Sequence, residues 1–187
     1  MTRLALGVLL WSVVHFFPAA ATGLKKSLVS RVGEYPYKGI FTLVTVLSLY
    51  LIITGWQSTV VVEIYAVPDW GGYAAAALTL LAFILFFAPY PANNFKRIVR
   101  HPQLIGTALW GLGHLLSNGD SRSIVLFGGL TAWAIVEILL INRRDGDWIK
   151  PIKASLLKDF SLILFSVLTY AAVLFTHHLL FGGEPLT

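Results

Sequence analysis

Arg100-His101-Pro102-Gln103-Leu104-Ile105-Gly106, running on into Trp110-Gly111-Leu112-Gly113-His114-Leu115-Leu116-Ser117-Asn118-Gly119-Asp120, begins as a basic, proline-punctuated loop and ends in polar residues. Between the two lies a short, apolar, glycine-rich run that reads as a helix with a histidine inside a membrane. An ionisable side chain at that depth is costly and by default marks a functional site.

The rest of the chain agrees with a membrane setting. Its 187 residues are 57% hydrophobic and only 12% charged, with a mean hydropathy of +0.76. A soluble domain of this size does not conceal that much apolar surface, so the chain reads as one all-α, polytopic membrane domain over residues 1–187. The apolar segments are 4–23, 37–56, 71–90, 103–118, 122–142 and 159–181. Most approach the ~20 residues a helix needs to cross a bilayer. The fourth is shorter, and either continues back through Pro102 or is partly re-entrant. About six transmembrane helices are therefore expected. The first segment, with Arg3 before it and Ala19-Ala20-Ala21 near its end, reads as a retained helix rather than a cleaved signal.

Charge sets the orientation. Lys25, Lys26, Arg31 and Lys38 follow segment one. Lys96, Arg97 and Arg100 follow segment three, and Arg143, Arg144, Lys150, Lys153 and Lys158 follow segment five. The opposite side has Arg3 and Arg122, with Glu63, Asp69, Asp120 and Glu184. The positive-inside rule places these basic loops in the cytoplasm and both termini outside it, in the inner membrane. It also explains the net charge of +5, so the lipid bilayer is the expected partner and nucleic acid is not. Trp56, Trp70, Tyr73, Tyr90 and Trp148 lie near segment ends, as interfacial anchors do. Loop 143–158 reads as an interfacial segment, with an amphipathic helix interrupted by Pro151.

With no cysteine, and Met1 as the only methionine, thiolate nucleophiles, Cys-ligated zinc, Fe–S clusters and Cys- or Met-ligated haem are excluded. A transition metal would rest mainly on His15, His101, His114, His177 and His178. His15 lies on the order of 10 Å above the cytoplasmic boundary and His114 roughly 15 Å, at 1.5 Å per residue. If their helices are neighbours, both imidazoles reach one buried cofactor. As a pair they suit the axial positions of a b-type haem, or a general acid–base couple. Gly106, Ala108, Gly111 and Gly113 give segment four a small-residue surface, which serves either close helix packing or a flat macrocycle. His177 and His178 read as an interfacial polar cluster. His101, with Lys96, Arg97 and Arg100, reads as an anion site or as ordinary positive-inside charge. Glu137, deep in segment five, should face the bundle interior and have a partner such as Arg100, Arg143 or a histidine.

The stretch Arg100–Asp120, with Leu126-Phe127-Gly128-Gly129 after it and Arg31, Gly33, Glu34, Tyr37-Lys38-Gly39 and Gly55 before it, resembles the NnrU family. That family includes the plant and cyanobacterial 15-cis-zeta-carotene isomerases, which carry haem b on two histidines and isomerise a cis double bond in a redox-dependent way. Bacterial members accompany denitrification genes. The resemblance implies haem b on His15 and His114, with Arg100 and His101 in the Arg-His-Pro element; on the small-residue reading above, Gly111 and Gly113 would lie beside that cofactor. It also implies a lipophilic or small-gas ligand, in either an isomerase or a nitric-oxide-related role. Phe16 departs from the serine that usually follows the first histidine. A non-catalytic denitrification component is the alternative. The Arg-His-Pro-x-x-x-Gly element also resembles S-adenosylmethionine-dependent membrane methyltransferases of the isoprenylcysteine type, but their Glu-Glu pair is missing here.

Overall fold

In the computed structural model, which describes residues 1–181, helices joined by irregular segments make up the chain. Among the described residues there are seven helices: α1 Thr2–Ala20, α2 Thr22–Val32, α3 Glu34–Ser58, α4 Gly71–Phe87, α5 Pro102–Ser117, α6 Ser121–Asp145 and α7 Leu156–Phe181. Among the described residues there is no strand, only an antiparallel bridge between Glu63 and Asp120. Each apolar segment of the sequence contains a helix. Four helices are long and apolar enough to cross a membrane: α1, α3, α6 and the Leu156–His177 part of α7. The 17 residues of α4 and the 16 of α5 fall short of that; at 1.5 Å per residue α5 measures about 24 Å.

The contacts divide the chain into two compact units. The first unit, residues 1–64 and 120–146, contains α1, α2, α3 and α6. Lipid tails are as apolar as leucine, so helices associate there through close packing at small residues. A Cβ on Gly7 would stand 2.7 Å from the Ile52 nitrogen, and one on Gly55 would run into the Leu4 backbone. Leu4, Val8 and Ile52 form the buried core of this crossing. Gly129 does the same for α6, where a Cβ would lie 2.6 Å from a Val8 methyl. Asp120 caps α6: its Oδ1 accepts from the backbone N–H groups of Arg122 and Ser123 at 3.0 and 3.1 Å. A π-helical turn, Ile124–Gly128, follows within α6.

The second unit begins at Tyr65, runs to Gly119, resumes at Asp147 and contains α4, α5 and α7. Gly106 and Gly113, two turns apart on α5, lie against the backbone of Ala82 and Ala75 on α4. Close packing is thus what these two glycines provide. The Tyr65 hydroxyl donates to the carbonyls of Leu115 and Asn118, where α5 ends. α7 packs on α4 through Phe87–Phe165 and Phe83–Tyr170 ring contacts, and the Tyr170 hydroxyl donates to the Ala76 carbonyl at 3.1 Å.

Three expectations change. Residues 22–32 are a helix, not a loop: Lys25, Leu28, Val29 and Val32 recur at helical spacing, and Gly33, at φ 90°, stops the run in a region that favours glycine. In 143–158 there is no interfacial helix. α6 continues to Asp145, Gly146 at φ 65° ends it, and 146–155 is irregular around Pro151, which has no N–H to give. α5 does not extend back past Pro102, which occupies its first turn where a missing N–H costs nothing.

Candidate functional site

On α1, the ring nitrogen Nδ1 of His15 lies 2.7 Å from the Trp11 carbonyl oxygen one turn back. The imidazole stacks on the Trp11 indole, with centroids 4.1 Å apart and planes at 27°. Trp133 from α6 and Phe41 from α3 meet it edge-on, each at 5.4 Å. Trp11 and Trp133 also meet each other at 5.5 Å in a T-shape. Three aromatic rings from three helices therefore fix one imidazole.

This surround has unsatisfied polarity. The indole N–H groups of Trp11 and Trp133 are buried without a hydrogen-bond partner among the described residues, as is Oε2 of Glu137. Trp133 and Glu137 are four residues apart, on one face of α6. A buried donor or acceptor left unpaired costs roughly 1–3 kcal/mol, so each calls for an explanation. Glu137 is buried, as expected of an intramembrane acid. Among the described residues no ion pair within 4.0 Å reaches Glu137; the charge it feels is that of Arg144, whose guanidinium is bound to Asp145 at 2.6 and 3.0 Å.

The same local device recurs on α5. Nδ1 of His114 lies 2.8 Å from the Trp110 carbonyl, again one turn back, and the two rings are 4.9 Å apart. Asn118 Nδ2 donates to the His114 carbonyl at 2.9 Å, closing the helix end. His114 follows directly on Gly113, whose contact with Ala75 holds α5 against α4.

Arg100 and His101 stand at the other end of α5. His101 is the N-cap residue, thirteen positions before His114 and so about 20 Å along the axis. The structure does not gather the Arg-His-Pro element around the His114 imidazole. That loop is held instead by two asparagines. Buried Asn93 donates to the carbonyls of Ala88 and Pro91 at 2.6 and 2.9 Å. Asn94 donates from its backbone and side chain to the Asp159 carboxylate, both at 2.7 Å, and exchanges hydrogen bonds with the Ala154 backbone at 2.9 and 3.0 Å. Gly111 is buried on α5. His177 lies near the end of α7; the side chain of His178, and Glu184, fall outside the described residues.

The sequence reading missed Trp11, Phe41 and Trp133 as neighbours of His15. Part of the signal was there: Trp-x-x-x-His occurs at 11–15 and again at 110–114. Among the described residues, no group of three or more His, Cys, Asp or Glu side chains gathers as a metal site. A haem iron held by two imidazoles does not require one.

A family model described as NnrU protein matches residues 3–185, nearly the whole chain. No curated protein and no solved structure matches it.

Proposed function

The chain belongs to the NnrU family, and on that premise we propose that it is a multi-pass membrane protein that binds haem b on histidine, with His15 of the first unit and His114 of the second as the candidate ligands, and acts on an apolar ligand. The observation that carries this reading is the repeated anchor: both histidines direct Nδ1 at the carbonyl of a tryptophan one turn back, at 2.7 and 2.8 Å. With Nδ1 as donor, the ring is the tautomer whose Nε2 carries the lone pair that iron needs. Such a second bond is the usual way a metal-ligating histidine is oriented. In a chain without cysteine, whose only methionine is Met1, two imidazoles are the donor set that fits.

Bound there, haem would supply a redox-active iron centre able to polarise a double bond or take up a small gas. The protein's own contribution is rigidity and dryness. Trp11, Phe41 and Trp133 hold the His15 ring and exclude water. The indole N–H groups and Glu137 are polar groups in apolar surroundings, suited to a bound group with oxygen atoms. The zeta-carotene isomerases that the chain resembles make a polyene the first ligand to test. In the membrane we propose six crossings by α1, α3, α4, α5, α6 and α7, with both termini outside the cytoplasm in the inner membrane. Support comes from each unit by itself. In the first, Lys25, Lys26 and Arg144 line one groove; in the second, Asn94 ties the loop of Lys96 and Arg97 to the start of α7.

The test is an optical spectrum of detergent-purified protein, oxidised and then dithionite-reduced, with a pyridine haemochrome assay. A low-spin b-type spectrum lost in both His15→Ala and His114→Ala is expected. A His114→Ala protein that keeps full haem absorbance sinks the ligand assignment. With haem established, reductant-dependent isomerisation of a cis polyene separates the isomerase from a denitrification component that senses or matures. Saturable S-adenosylmethionine binding by a haem-free protein would turn the reading to methyl transfer.

A further inference from the structure

At the end of the first unit where α1 meets α2, a groove of about 660 Å³ is lined by Pro18, by Thr22, Lys25, Lys26, Val29 and Ser30 of α2, and by Arg144 and Asp145 of α6. The α2 residues recur at spacings of three and four, so they form one face of that helix. Adjoining that face, Leu24, Leu28 and Val32 form an apolar stripe, 68%, 37% and 40% exposed. A basic helix with an uncovered apolar stripe, joined to the end of an apolar helix long enough to span, has the build of an interfacial helix. With that apolar stripe in the acyl boundary, the groove face would stand near the level of the lipid phosphates.

We propose that this groove binds the phosphate of an anionic phospholipid headgroup. Three cations line it against one carboxylate. Lys25 is held by the Tyr37 ring, 5.9 Å from its Nζ, and Arg144 commits only two of its N–H groups to Asp145, so its planar fork retains donors for a phosphate oxygen. The Lys38 charge is answered nearby by Glu34 at 2.6 Å, and it is the groove cations that an anion would meet. Val29 and Pro18 provide the apolar floor that a glycerol backbone would touch.

The experiment is native mass spectrometry of the full chain in detergent, titrated with phosphatidylglycerol or phosphatidylcholine. The wild type should retain one phosphatidylglycerol in preference to phosphatidylcholine. Each of Lys25→Gln, Lys26→Gln and Arg144→Gln should weaken retention by about fivefold, the usual contribution of a cation near a charged membrane surface. Lys150→Gln and Lys153→Gln, which lie outside the groove, should not. Asp145→Asn should strengthen retention, whereas Asp147→Asn, with the same change in net charge, should leave it unaltered; this pair removes no cation and so tests the site even where a lysine variant folds poorly. Retention equal to that of the wild type in the Lys25→Gln, Lys26→Gln and Arg144→Gln variants would overturn the proposal. So would equal effects of the two aspartate variants, or displacement of the lipid by inorganic phosphate at matched concentration, which would show a free-anion site instead.

Discussion

His15 and Trp11 are bound to each other twice: Nδ1 of the imidazole lies 2.7 Å from the tryptophan carbonyl, and the imidazole stacks on the indole of the same residue at 4.1 Å. A backbone contact and a ring contact to one partner remove most of the imidazole's freedom about its side-chain bonds. His114 has the same backbone contact to Trp110, with a more tilted ring pair at 53°.

Both histidines should therefore exist as the Nδ1–H tautomer in the protein without haem. Nitrogen-15 NMR of histidine-labelled protein in detergent should show Nδ1 protonated and Nε2 bare at His15 and His114. The opposite tautomer would remove the orienting role of the tryptophan carbonyls.

Trp133→Phe keeps an aromatic edge against His15 and removes a buried N–H that has no partner. Fold stability should change by less than about 1 kcal/mol, since the lost packing is small and an unmet donor is relieved. Haem retention should fall in the same variant. A large drop in melting temperature with unchanged haem would mean that the indole serves the fold alone.

Glu137→Gln removes the ionisable group of a buried carboxyl that makes no ion pair among the described residues. Burying an unpaired charge is costly, so the variant should melt at the same temperature as wild type or higher. If activity is lost alongside, the residue is kept for chemistry at some cost in stability. A destabilised variant would mean that the carboxyl has a partner that its neutral isostere cannot replace.

Two glycines of α3 should respond in opposite ways to alanine. Gly55→Ala drives a Cβ into the Leu4 backbone and should cost about 1–3 kcal/mol. Gly39→Ala meets nothing within 4 Å and should stabilise the helix by up to about 1 kcal/mol. Thermal unfolding in detergent measures both, and a neutral Gly55→Ala would refute the tight α1–α3 crossing.

Asn94→Ala loses the side-chain contacts to Asp159 and Ala154 together. Its backbone bond to Asp159 can survive, but the charge-assisted side-chain bond cannot, and a cost of at least about 2 kcal/mol is expected. Limited proteolysis within 146–155 should accelerate. Unchanged cleavage would show that α7 is held without this staple.

The sequence by itself determined the six apolar helices, because each rests on local terms: apolar runs, Pro102 at a first turn, Gly146 at a stop, and Asp120 one residue before α6. It also singled out His15 and His114, since an imidazole in an apolar run is conspicuous in one dimension. It misjudged 22–32 and 146–155, where composition alone could not weigh helical spacing against proline and glycine. Tertiary structure alone decided what surrounds each imidazole. Trp133 is 118 positions from His15, and only the crossings that Gly7, Gly55 and Gly129 allow bring α3 and α6 close enough to enclose it. It also decided that Gly113 serves helix contact and that Asn93 and Asn94 hold the basic loop, because close approach and hydrogen bonding depend on distances that a linear pattern does not contain.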